Sequence, residues 1–228
     1  MHPYLIPLHE AYLQNADPEK AAPMQQYMRD KFSYLGIKAP ERKQITKTFI
    51  QEHGLPTIDQ LDTISRELWA LPEREFQYAA MSLLERMKKK LTAEFITTLE
   101  YLITTKSWWD TVDGLASHDV GILFTNHPDV RDEYVAKWRI SDNIWLRRTT
   151  LLFQLKYKAN TDVDLLFALI AENLDSDEFF IQKAIGWALR EYSKVDNTAV
   201  IDYVQKTNLP PLSEREALKW MKNQGIIT

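Results

Sequence analysis

Cysteine is absent from this chain of 228 residues, and glycine occurs only six times. Without thiols there is no disulfide framework and no thiolate metal site, a composition that suits a reducing compartment. Scarce glycine argues against the turn-dense texture of an all-β protein. Long apolar runs are missing as well, since no stretch approaches the ~18 consecutive apolar residues of a membrane span. The segment from Met1 to Leu13 has no basic region followed by an apolar core, so it does not read as a signal peptide. These absences point to a cytoplasmic protein with no membrane partner. An excess of positive charge is lacking too. The formal net charge is −4, which weighs mildly against a nucleic-acid binder, although phosphate contact needs only one basic face.

Motifs of familiar cofactor sites are also missing. No glycine-rich phosphate loop and no Gly-x-Ser-x-Gly elbow occurs. His2, His9, His53, His118 and His127 form no pair four residues apart that would ligate a metal from one helix face. Neither a metal nor a cofactor is expected.

What is present favours helices. Hydrophobic residues make up 45% of the chain, with seven Trp and ten Tyr. Asp17-Pro18, Ala39-Pro40, Leu55-Pro56-Thr57, Leu71-Pro72, His127-Pro128 and Pro210-Pro211 sit where helices would end or begin. Thr57 and Ser213 each open a pattern resembling a capping box. Between these marks the apolar spacing is helical, as in Phe76, Ala79, Ala80, Leu83, Leu84 and Met87. The fold class is all-α.

An internal repeat organises those helices. Steps of 35 residues from Phe76 meet Thr111, Leu146 and Ile181, and steps from Ala79 meet Gly114, Thr149 and Ala184. Small residues at that second phase suit a close helix crossing. A second helix keeps the register through Phe95, Val130, Leu165 and Val200, and again through Leu99, Tyr134, Leu169 and Val204. The spacing predicts one domain over 1–228: diverged N-terminal helices over 1–64, repeats over 65–208 and a capping helix over 209–228. Stacked helix pairs form a HEAT-like solenoid whose concave face suits a polymer, whether DNA, a peptide or a protein partner.

One phase of the repeat is chemically unusual. Tyr78, Asp113, Arg148 and Lys183 are equivalent positions, and Trp109 and Trp187 lie one helical turn from Asp113 and Lys183. Arg190 follows Trp187 and flanks it. The stripe reads either as an ion-pair ladder beside two core indoles or as a functional site. Basic clusters such as Arg147-Arg148 and Lys156 with Lys158 read either as solvated helix faces or as phosphate contacts. Two adjacent indoles, Trp108-Trp109, are hard to bury together in one thin layer, which favours the functional reading of the stripe.

The residues around this stripe carry a resemblance. Ser107-Trp108-Trp109-Asp110-Thr111-Val112-Asp113, Leu146-Arg147-Arg148 and Ala184-Ile185-Gly186-Trp187-Ala188-Leu189-Arg190-Glu191-Tyr192 resemble the AlkD-type DNA alkylation repair glycosylases. So do Tyr27-Met28 and the stretch from Phe32 through Gly36-Ile37 to Pro40-Glu41-Arg42, so that the likeness spans nearly the whole chain. It implies a DNA glycosylase that removes N3- and N7-alkylated purines from double-stranded DNA while the lesion stays stacked. In that likeness Asp113 matches the catalytic carboxylate, and Trp109 and Trp187 match aromatics that cradle the deoxyribose. Arg148 matches a cation on the DNA backbone, and Tyr27 a further aromatic of the cleft. Lys156, Lys183 and Arg190 complete the expected DNA contacts. The implied protein acts as a monomer on the nucleoid, without an obligate protein partner.

The residue types suit that reaction. A cationic base leaves as a neutral molecule, so no strong general acid is required. Positive charge develops on the sugar instead, as in other oxocarbenium-like transition states. An ionised Asp113 would stabilise that charge and orient water, and the indole faces would attract the cation. The alternatives are an inactive DNA-binding relative and a protein-binding solenoid adaptor.

Overall fold

Proline caps and helical apolar spacing dictate the architecture that forms. The computed structural model describes residues 1–227, and among these the chain is helical throughout, with no strand beyond an isolated parallel bridge between Ser33 and Glu73. The all-α expectation is met. The helices gather into two compact units, Met1–Thr98 and Leu99 onward.

The first unit holds α1 (Ile6–Gln14), α2 (Pro18–Tyr27), α3 (Ala39–His53), α4 (Ile58–Ala70) and α5 (Arg74–Met87). Local chemistry sets their starts. Asp17 accepts from the backbone N–H groups of Glu19 and Lys20 with Pro18 at the first helical position. Thr57 and Gln60 form the expected capping box on α4. The core joins Leu5, Leu8, Tyr12, Leu61, Ile64, Trp69 and Phe76, all fully buried. A buried loop over 34–37 would leave backbone donors unsatisfied, and Glu75 answers that need. Its carboxylate accepts from the N–H groups of Leu35, Gly36 and Ile37 at 3.0, 2.9 and 3.1 Å.

From α6 (Ile96–Thr104) the chain continues as α7 (Trp109–Gly114), a π-helical stretch (Leu115–Val120) and α8 (Gly121–Asn126). Next come α9 (Pro128–Arg139), α10 (Ile144–Leu152), α11 (Val163–Ala171), α12 (Phe179–Tyr192), α13 (Asn197–Lys206) and α14 (Pro211–Asn223). The repeat is visible in the helix starts: Arg74, Trp109, Ile144 and Phe179 are each 35 residues beyond the last. Within the second unit α10 packs against α7 on one side and α12 on the other, and α12 packs against α14.

Two sequence expectations need correction. Gly114 is only half-buried, whereas Ala79, Thr149 and Ala184 of the same phase are fully buried. Ser213 is not a helix cap, because α14 starts earlier at Pro211, and its hydroxyl donates to the Gln182 carbonyl at 2.8 Å. That bond accompanies a very close crossing of α12 and α14. A Cβ on Gly186 would stand 2.5 Å from the Glu216 Cβ and 2.7 Å from the Ser213 carbonyl oxygen. Gly186→Ala should therefore push α14 outward and destabilise the protein by about 1–3 kcal/mol, as overpacked cores do. Chemical denaturation would show this as a lowered midpoint at unchanged slope.

Candidate active site

Three aromatic rings align the helices that carry the site. Trp108 precedes α7 in an extended conformation and is buried. Its ring lies 5.8 Å from Trp145 near the start of α10 and 5.0 Å, edge-on, from Phe180 near the start of α12. Trp145 and Phe180 complete the triangle at 5.0 Å. Such contacts hold ring geometry beyond simple burial. With their first turns fixed together, α7, α10 and α12 bring equivalent positions of successive repeats into contact one turn further on.

Asp113 and Arg148 are those positions. Arg148 donates from Nε to Asp113 Oδ1 at 2.7 Å and from Nη2 to Oδ2 at 2.9 Å, a bidentate fork. Its remaining nitrogen, Nη1, donates to the Phe180 carbonyl. The arginine side chain is 4% exposed and the aspartate 14%. Burial pushes the Asp113 carboxyl up from its ordinary 3.8, the Arg148 guanidinium pulls it back down, and the Asp110 charge adds to the rise, so that it stands raised.

The expected phosphate clamp at Arg148 is therefore corrected. All three guanidinium nitrogens are committed inside the protein, and the cation orients a carboxylate instead. Lys183 and Arg190 are likewise engaged within the second unit. Both meet Glu216 of α14 at 2.9 Å, and the Lys183 hydrogen bond leads the effects that hold the Glu216 carboxyl below its ordinary 4.5.

The aromatic residues divide between core and surface. Trp108 is buried, whereas Trp109 and Trp187 are half-buried, so each keeps part of its indole open. Phe179 shares the repeat phase of Trp109 and is 55% exposed. The 35-residue spacing is the sequence signal for it and also relates Trp145 to Phe180. Lys156 is exposed on the rim of a cavity of about 300 Å³, which Lys158, Tyr192 and Lys194 also line. Tyr27 ends α2 in the first unit and is 73% exposed. Among the described residues no three His, Cys, Asp or Glu side chains cluster as a metal site, and no helix is long and apolar enough to cross a membrane.

Breaking the buried pair should be costly. Arg148→Ala would leave Asp113 buried without its cation and is expected to destabilise the fold by about 3–5 kcal/mol. Arg148→Lys keeps the charge but loses the fork, so it should recover only part of that stability. Urea unfolding of the two variants checks both expectations, and a wild-type midpoint for Arg148→Ala would contradict the pairing.

Comparison with known proteins points to one family. The family model described as DNA alkylation repair enzyme matches residues 8–221. Among solved structures, the chain is similar to a protein described as a predicted DNA alkylation repair enzyme from Enterococcus faecalis. The two share 34% sequence identity with a TM-score of 0.83, over 90% of this chain and 96% of that one. No curated protein matches. Matched over nearly its whole length, the chain belongs to the DNA alkylation repair enzyme family.

Proposed function

We propose that this protein is a DNA glycosylase that hydrolyses the N-glycosidic bond of cationic N3- and N7-alkylated purines in double-stranded DNA. The observation that carries this reading is the Asp113 carboxylate, largely buried yet gripped in one orientation by the Arg148 fork. An ionised carboxylate offers about four lone-pair directions. Arg148 takes two of them, so others remain for water and for a sugar carbon that is losing electrons.

In the proposed reaction the bond between sugar C1′ and the base nitrogen breaks, and its electron pair leaves with the base. The departing purine is neutralised by that pair, so no proton need be supplied to it. Asp113 stabilises the oxocarbenium-like sugar and accepts a proton from the water that adds to C1′. Trp109, one turn before Asp113 on α7, and Trp187 on α12 supply partly open indole faces for the deoxyribose. Phe179, exposed and in the phase of Trp109, is a further ring we assign to contact with the DNA backbone. No swing of the base into a pocket is part of this scheme. Exposed Lys156 and Tyr27 are the side chains we assign to contact with DNA.

Two measurements test this reading. Asp113→Asn should lower release of 7-methylguanine from methylated duplex by roughly 10²–10³-fold, the scale of losing one transition-state electrostatic partner, while fluorescence anisotropy shows DNA binding retained. Wild-type release by that variant would sink the assignment. The second is the pH profile. Activity needs ionised Asp113, whose carboxyl is raised, so excision should fall on acidification with an inflection above the ordinary aspartate value of 3.8. An acid limb at or below that value would contradict the buried geometry.

A further inference from the structure

The helix that carries Asp113 does not continue as an ordinary α-helix. After Gly114 it enters the π-helical stretch Leu115–Val120, where the Gly121 N–H reaches back to the Ala116 carbonyl. Single π turns of this kind recur at functional sites, and a local reason is visible here. Val112, Ala116, Val120 and Phe124 are all buried, and so are Leu115, Asp119 and Leu123. Both rows advance by four residues.

On a uniform α-helix each such step overshoots a full turn by about 40°, so three steps would carry a row ~120° around the axis. A π turn takes one extra residue into its hydrogen-bonded ring, which is worth about 100° of rotation. The insertion thus cancels most of the drift, and α7 and α8 can both keep these rows buried. Were the helix regular, keeping α8 buried would rotate α7 by a similar angle. Asp113 would then turn away from Arg148. Helix α10, which supplies Arg148, packs against both α7 and the π-helical stretch, so this rotation is set directly at the contact that matters.

One side chain in the stretch reaches back to the site. Ser117 is buried, and its hydroxyl donates to the Asp113 backbone carbonyl at 2.7 Å. We propose that the π turn, locked by Ser117, is a positioning device for Asp113: it fixes the rotation of α7 at which the carboxylate meets the Arg148 fork. Ser117 is then a positioning residue for the excision reaction, a role that rests on the glycosylase reading above.

The test compares Ser117→Ala with Ser117→Thr, which keeps a hydroxyl. Two quantities are read well below the melting temperature: single-turnover release of 7-methylguanine from methylated duplex, and the exchange protection of the Arg148 Nε–H by nitrogen-15 NMR. The second reports the fork on Asp113 without reference to activity. Ser117→Ala should slow release about threefold to tenfold, the scale of one lost hydrogen bond. Duplex affinity should stay unchanged, and the Arg148 Nε–H should exchange faster. Ser117→Thr should restore both. Wild-type release together with wild-type protection in Ser117→Ala would overturn the proposal. The unaltered protein in the same assay separates the two ideas: if it releases no base, the glycosylase reading fails, while the Arg148 resonance in Ser117→Ala still decides whether the π turn positions Asp113.

Discussion

A guanidinium cannot shed its charge within the pH range of proteins, so a buried arginine must be met by acceptors on every side. Arg148, with a side chain 4% exposed, imposes that constraint on the second unit. Its acceptors come from two other helices, the carboxylate of Asp113 on α7 and the carbonyl of Phe180 on α12. Three successive repeats are thus clasped around one cation from α10. The aromatic triangle of Trp108, Trp145 and Phe180 does the complementary work. It aligns the helix starts so that the acceptors arrive where the cation needs them.

A buried ion pair is weak evidence for stability, since apolar residues of similar volume often pack as well. Its presence here is better explained by what it does to the carboxylate. Two acidic groups in this unit, each facing cations, are driven in opposite directions. Burial raises Asp113, whereas hydrogen bonding from Lys183, reinforced by Arg190, lowers Glu216. Glu216 sits at the tight crossing of α12 and α14 beside Gly186 and acts as a structural anchor. Asp113 has paid a desolvation cost that an anchor would not require. A carboxylate held in one orientation at raised free energy is suited to meeting a developing positive charge.

Much of this was legible in the sequence, and the rest was hidden for definite reasons. The step of 35 residues, read from the apolar and small phases, recurs in the helix starts at Arg74, Trp109, Ile144 and Phe179, and it places Asp113 and Arg148 at equivalent positions of successive repeats. Spacing cannot say whether a cation one repeat from a carboxylate faces it or faces solvent, so the role of Arg148 had to await the geometry. Likewise Trp108 and Trp109 could be seen to differ in burial, but not which one entered the core. Glu75 gave no signal because its partners are backbone N–H groups, which have no side-chain signature. Glu216 lies beyond the repeats, so no phase pointed to it. The four-residue spacing of Val112, Ala116, Val120 and Phe124 was a readable sign of the π turn, since it departs steadily from the α-helical period.

The pairing also bears on how the proposed reaction gains its rate. A lone carboxylate would attract a cationic alkylpurine before any bond changed, and attraction equal in ground and transition states does not raise the rate of the chemical step. Paired with Arg148, Asp113 presents almost no net charge at a distance, so an approaching lesion feels little pull. Close to the carboxylate the situation differs, because the lone pairs turned away from the fork still face outward as a directed dipole. As the glycosidic bond lengthens, positive charge moves off the purine and onto the sugar, toward that edge. The interaction grows with the bond change itself. On this reading Arg148 does more than steady Asp113. By cancelling the long-range part of its field, it confines the electrostatic gain to the step in which the sugar becomes a cation.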